Sequence, residues 1–405
     1  MTGQARGGRG GGVFGLLAVA VSWGLFWGGW SALIPGLKTD LSLTDQQLGL
    51  ALFAVPVAAV PAMLLTGRLT RRLAQHTLPL VTAVFAVGTA LVGLAPSAPA
   101  FAAALLLVGV SSGAIEVALN ATIAGYEARD GSRLFNKVHA ATPLAMVLAA
   151  PAVGLALDIG ASPEQALAVI AALVALSAVL AIDPHGRQEQ ERTPAAEGAR
   201  PRRVPGPFLL VGAVGATALL MENSVEQWGA IHLRQQLGAG PFLASCGPAA
   251  YMAGLSAGRT LVQWRGPRIG DRRLITLGGI LGGAGLAVAA AAWDPASTLA
   301  GFALAGVGLA PVVPTLLGAV GRATGPDRRP EVISTVTTVS YAGFLCSPPL
   351  VGALAGVLGL SAALGVVALC GALVAAGGRA VQRLPARTGG AGGTGGTPPP
   401  DREAA

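Results

Sequence analysis

Glu116 lies within an apolar stretch, residues 100–124, where a charged carboxylate costs about 2.5–3.5 kcal/mol unless it is paired or protonated. No Lys or Arg stands well inside any apolar stretch to pair with it. Desolvation favours the neutral form of a carboxyl, so Glu116 is a candidate to take up and release a proton. It is read about seven residues, roughly 10 Å, from one end of its helix. Asn120 follows one turn later on the same face, placed to bond a solute or Glu116 itself. A second acid pair, Glu222 and Glu226, shares one face of the stretch 208–231. Counted along that stretch, Glu222 falls in its second half and Glu226 near the membrane interface. Asn223 and Gln227 beside them make this segment unusually polar, as in a helix that faces a cavity.

Trp23, Trp27 and Trp30 form a stripe at helical spacing. Such a stripe packs a core or an interface, and Trp27 is also a candidate to stack against a bound solute. His139 is expected to hold a local hydrogen bond. The four His residues (76, 139, 185 and 232) are scattered, with no HExxH and no carboxylate–histidine pairing. No Gly-x-x-x-x-Gly-Lys-Ser/Thr loop exists for ATP. Cys246, Cys346 and Cys370 have no metal-like spacing and read as small packing residues. The residues therefore point away from an enzyme, a metal site and an organic cofactor; a proton gradient is the energy source they fit.

What positions these residues is a membrane. The chain is 53% hydrophobic and 11% charged, where soluble domains carry roughly 25% charged residues. Twelve stretches reach the ~20 apolar residues that a span needs: 13–35, 46–66, 77–95, 100–124, 135–157, 163–183, 208–231, 242–263, 274–292, 297–320, 332–354 and 360–380. All but Lys38 and Arg234 of the 27 Lys and Arg residues then fall on one side, in alternate loops or at the ends of the stretches beside them. By the positive-inside rule that side is the cytoplasm, and it holds both termini. The formal charge of +8 is dispersed among these loops without interleaved aromatics, which argues against nucleic acid. The excess of Arg over Lys fits a bacterial inner-membrane protein.

The chain divides into a tail at 1–12, a six-helix half at 13–183, a Pro- and Arg-rich linker at 184–207, a second half at 208–382, and a Gly/Thr/Pro-rich tail at 383–405 expected to be disordered. The halves repeat. Trp30-Ser-Ala matches Trp228-Gly-Ala, Gly67-Arg68 matches Gly258-Arg259, and Pro151-Ala-Val-Gly154 matches Pro349-Leu-Val-Gly352. Parallel six-helix repeats around a midplane site are a transporter plan. Gly and Pro within the spans, among them Gly306, Gly308, Pro311 and Pro314, mark close packing and bends.

This organisation resembles the major facilitator superfamily over about residues 13–381. The family's loop between its second and third helices is similar to Gly67-Arg68-Leu69-Thr70-Arg71-Arg72, with Arg71 at the acidic position and Ala74 at the second Gly. Gly258-Arg259 begins the second copy. The resemblance implies a gating-loop role for Gly67, Arg68, Arg72, Gly258 and Arg259. Within the superfamily the chain resembles the fucose permease group. Trp30-x-x-Leu-Ile-Pro35, Gly109-x-x-x-Gly113-x-x-Glu116-x-x-x-Asn120, Asn136-Lys-Val-His139 and Glu222-x-x-x-Glu226-x-Trp228 carry that likeness. It implies that Glu116 takes part in proton and sugar coupling; Ser31 stands where the group has its helix 1 acid. The expectation is an all-α protein of twelve transmembrane helices in two pseudo-symmetric halves. It would act as a monomeric secondary carrier of a small organic solute by alternating access. Proton coupling would involve Glu116 and Glu222, with Trp27, Asn120, Asn223 and Glu226 as solute contacts. A sugar-like substrate is slightly favoured; efflux of a drug or metabolite and a non-transporting sensor are the alternatives.

Overall fold

The computed structural model describes residues 7–130, 134–182, 204–265, 269–291, 293–325 and 328–384. Among them the regular structure is helical. The N-terminal half comprises α1 (Gly7–Asp40), α2 (Asp45–Leu73), α3 (Thr77–Gly93), α4 (Ala98–Asp130), α5 (Leu134–Asp158) and α6 (Pro163–Leu180). The C-terminal half comprises α7 (Gly206–Leu237), α8 (Pro241–Arg265), α9 (Asp271–Ala291), α10 (Pro295–Leu309), α11 (Val312–Ala323), α12 (Arg329–Leu358) and α13 (Leu360–Gly377). Helices α10 and α11 make one crossing, interrupted at Ala310 and Pro311. Proline supplies no N–H to the helical ladder, which is why the bend expected at the Gly306–Pro314 cluster becomes a break.

Eleven crossings among the described residues are long and apolar enough to span a bilayer. The twelfth, α8, has 25 residues but ends in Arg259, Thr260, Gln263 and Arg265. The outer surface is aliphatic: Leu64 is 78% exposed and Val357 77%. In water such a surface would aggregate; against lipid tails it is the solvated face. Trp264 and Trp293, both about three-quarters exposed, sit at opposite ends of the bundle, where indoles favour the membrane interface.

Each half packs by the same plan. In the first, α1 lies on α5, α2 on α4, and α3 on α4 and α6. In the second, α7 lies on α12, α8 on α10, and α9 on α10 and α13. The halves meet where α2 crosses α12, α5 crosses α8, and α1 passes α7. Below, the near end is the one that carries the start of α1, and the far end is opposite.

Several boundaries differ from the sequence expectation. Helix α1 starts at Gly7, inside the segment read as a tail, and α7 starts at Gly206. Helices α2 and α8 run on to Leu73 and Arg265, so Gly67, Arg68 and Arg72 lie on a helix rather than in a loop, and Gly258 and Arg259 lie within α8, inside the stretch 242–263. A helix does not stop where the hydrocarbon does; Leu and Arg are good helix formers and extend it into the interface. Residues 183–203 of the linker and 385–405 of the tail lie outside the described residues.

Candidate functional site

Helix length changes where the acids stand. Glu116 is near the middle of the 33-residue α4, not near its end, and Glu222 is at the middle of the 32-residue α7, not in its second half. Glu226 follows one turn later, still within α7. Sequence counting misplaced them because the apolar windows were shorter than the helices.

The three carboxylates line one cavity of about 400 Å³ between the halves. Glu116 enters it from the N-terminal half, and Glu222 and Glu226 from the C-terminal half. Its wall is mostly apolar and aromatic: Trp27, Met146, Met252, Tyr341 and Phe344 contribute, and no Lys, Arg or His is among its lining residues. The volume lies within the roughly 300–1,000 Å³ of small-molecule sites.

The Trp stripe splits into three jobs. Trp27 faces the cavity and meets Phe26 edge-on at 5.0 Å. Trp23 Nε1 donates to Ser112 Oγ at 2.9 Å, tying α1 to α4. Trp30 is buried, stacked on Phe26 at 5.7 Å and Phe101 at 6.3 Å. Its Nε1 donates to Gln227 Oε1 of the other half at 3.1 Å. Its repeat partner Trp228 is fully buried with an indole N–H that has no acceptor. The repeat offset puts Gly29 opposite Gln227, so the symmetric bond cannot form.

Asn120 does not line the cavity. Its Oδ1 is bonded to His139 Nε2 at 2.9 Å, which joins α4 to α5, and the His139 ring packs on Phe135 at 4.2 Å. Asn223 does line the cavity, is fully buried, and has no partner for either amide atom.

Two neighbours of the second acid pair were not read from the sequence. Tyr251 of α8 sets its hydroxyl beside Glu222, and the field of Arg259, on the same helix, reaches both Glu222 and Glu226. Arg259 stands inside the stretch 242–263, so this pair has a cation bearing on it from α8. The signal available was rarity: the chain has three Tyr, and Tyr251 and Tyr341 both fall inside apolar stretches. His232 is buried away from the cavity, bonded to Ala289 O at 2.9 Å.

The cavity is sealed at the far end. A Cβ at Gly352 of α12 would lie 3.0 Å from Gly49 Cα of α2, so the two helices touch backbone to backbone. Gly356 packs on Gln46, and Gly154 of α5 packs on Pro241 and Ser245 of α8. Asp158 Oδ2 accepts from Phe242 N at 3.1 Å, so the end of α5 caps the first turn of α8 across the half boundary. Towards the near end the same two helices leave His139 and Ala140 on α5, and Ser256, Arg259 and Thr260 on α8, exposed. The cavity thus opens to the near end.

Comparison with known proteins agrees with this architecture. The family model described as Major Facilitator Superfamily matches residues 14–248 and 214–400. An uncharacterized MFS-type transporter of Yersinia pestis is 31% identical over 365 residues, covering 89% of this chain and 93% of that one. Membrane protein MosC of Rhizobium meliloti is 24% identical over 357 residues, covering 87% and 86%. Among solved structures, a bacterial homologue of the human lysosomal transporter Spinster, in an inward-facing and unoccupied conformation, superposes with a TM-score of 0.74 at 16% identity, covering 94% of this chain and 98% of that one.

Proposed function

The chain belongs to the Major Facilitator Superfamily, and from that premise we propose that it is a proton-coupled secondary carrier of a small organic solute, working by alternating access. The observation that carries this reading is the cavity itself. It lies between two pseudo-symmetric halves, is closed at one end, and holds carboxylates from both halves in an apolar wall. A rocking of the halves exchanges the closed end for the open one, and the solute is bound between. The charge bias of the loops supports placing the near end in the cytoplasm of a bacterial inner membrane, which makes the conformation inward-open in this reading. One chain encloses the whole cavity, which supports a monomer as the working unit.

Glu116 is the coupling residue in this reading. It faces the cavity from α4, and Tyr341 of α12 lines the same cavity. A carboxyl so placed can carry a proton through the occluded state and release it on the side that opens. Transport in proteoliposomes with an imposed pH gradient, screened over sugars and small hydrophobic solutes, tests it. Glu116→Gln is expected to abolish gradient-driven flux and to leave solute exchange and binding. Undiminished gradient-driven flux in that variant would remove Glu116 from the mechanism.

A further inference from the structure

The cavity wall is selective in a way that no motif announces. Four of its neutral polar groups each hold one bond to the protein. Ser31 Oγ donates to Gly28 O at 3.0 Å, Thr142 Oγ1 to Ala20 O at 3.2 Å, Ser112 Oγ accepts from Trp23, and Gln227 Oε1 accepts from Trp30. One side chain on the wall has no such bond. Asn223 is fully buried on the cavity wall with both amide atoms unbonded, and it sits between Glu222 and Glu226 in the chain. Around this polar spot stand Trp27, Met252, Tyr341 and Phe344. Among the described residues the wall holds acids and no bases, in a chain whose formal charge is +8.

We propose that the solute is an amphipathic organic monocation, its ammonium or iminium head held by Glu222, Glu226 and the Asn223 carboxamide oxygen, its apolar body against the aromatic and methionine wall. This rests on the carrier reading above and names its substrate class. Carboxylates attract the cation, a carboxamide oxygen accepts its N–H, and aromatic faces favour cationic over anionic ligands. The same placement implies exchange against a proton. Two carboxylates one turn apart in an apolar wall repel each other, and a single cation or proton relieves that. An entering monocation therefore displaces one proton to solvent, and the net charge of the site is unchanged. The other charged or titratable groups in range are Arg259 and Tyr251 on α8, Tyr341 on α12, and Glu116 on α4 with His139 behind it. Arg259 is exposed on α8 and bears on both acids of the pair.

Ethidium serves as the probe, with fluorescence polarisation of the purified full chain in detergent as the readout. Saturable binding is expected, with release of about one proton per bound dye in weakly buffered solution. Glu222→Gln/Glu226→Gln should weaken it by roughly tenfold or more. Unlabelled tetraphenylphosphonium should compete; L-fucose and tetraphenylborate should not. Should the double variant fail to elute as a single species, Glu226→Gln and Asn223→Ala, each expected to weaken binding, carry the same test. Ethidium affinity unchanged in these variants, or displacement by L-fucose, would overturn the assignment. The carrier reading fails separately. Dye binding with proton release but no flux in proteoliposomes sinks transport and keeps the cation site; gradient-driven sugar flux without dye binding does the reverse.

Discussion

At the scale of single residues, the sequence offered two acids with a polar neighbour each, and the structure treats the neighbours differently. Asn120 is engaged: its oxygen is 2.9 Å from His139 Nε2, and it stands off the cavity wall. Asn223 is buried on the wall with no partner. Nothing in the spacing distinguishes them, since each lies on the same helix as its acid. What separates them is the identity of the helix opposite. Position 120 meets the start of α5, where His139 waits; position 223 is buried with no hydrogen-bonding group opposite it. Asn120→Ala therefore removes one partly exposed interhelix hydrogen bond, worth about 0.5–1.5 kcal/mol. It is expected to lower the thermal midpoint of the purified protein slightly and to leave the affinity for ethidium within a factor of about two, since the residue touches no ligand in this arrangement. A large loss of dye affinity with an unchanged midpoint would return Asn120 to the binding site.

At the scale of elements, the crossings were legible and their ends were not. Hydropathy reports where lipid lies, whereas helix ends are decided by capping groups and by the first residues past the hydrocarbon. Where the caps are local they can be read. Thr44 accepts from Gln47 N at 3.2 Å, and Gln47 Oε1 accepts from Thr44 N at 3.0 Å. Ser162 and Gln165 repeat the same box at 3.1 and 3.0 Å ahead of α6. Both sit at the far end, each closing a short turn between antiparallel helices. Where the cap comes from elsewhere it is invisible in sequence: α8 takes Asp158, 84 positions away, for its first turn. Ser162→Ala is expected to cost about 1 kcal/mol of stability, read as a lower midpoint of thermal unfolding in detergent, with transport intact. A loss of flux at full stability would mean that the α5–α6 turn does more than end a helix. Arg259 belongs to the same lesson. The charge count groups it with the cytoplasmic cations although the stretch 242–263 contains it, and within α8 its field bears on Glu222 and Glu226.

At the scale of the molecule, the internal repeat predicts two equivalent halves, and their packing plans do match. The conformation in which they meet could not be read from sequence, because one set of helices serves both states. It is set by a small number of far-end contacts: Gly49 against Gly352, Gly154 against Ser245, Asp158 on Phe242, and Trp30 on Gln227. Only the first demands the absence of a side chain on both partners. A Cβ at Gly49 would press on the Pro348 carbonyl and lie 3.1 Å from Gly352 Cα, tighter than packed atoms tolerate. Gly49→Val should therefore penalise the far-end-closed state and leave the opposite state untouched. The expected result is a population shift towards the outward-open form. Spin labels at Leu50→Cys and Val357→Cys report it, since both positions are well exposed at the far ends of α2 and α12. Cys246, Cys346 and Cys370 are replaced by Ser in that background. The label separation should lengthen on introducing Gly49→Val, and net flux in proteoliposomes should fall, because a carrier trapped facing one side completes no cycle. An unchanged separation with normal flux would mean that the α2–α12 crossing yields without opening, and that the seal resides in the α5–α8 contact alone.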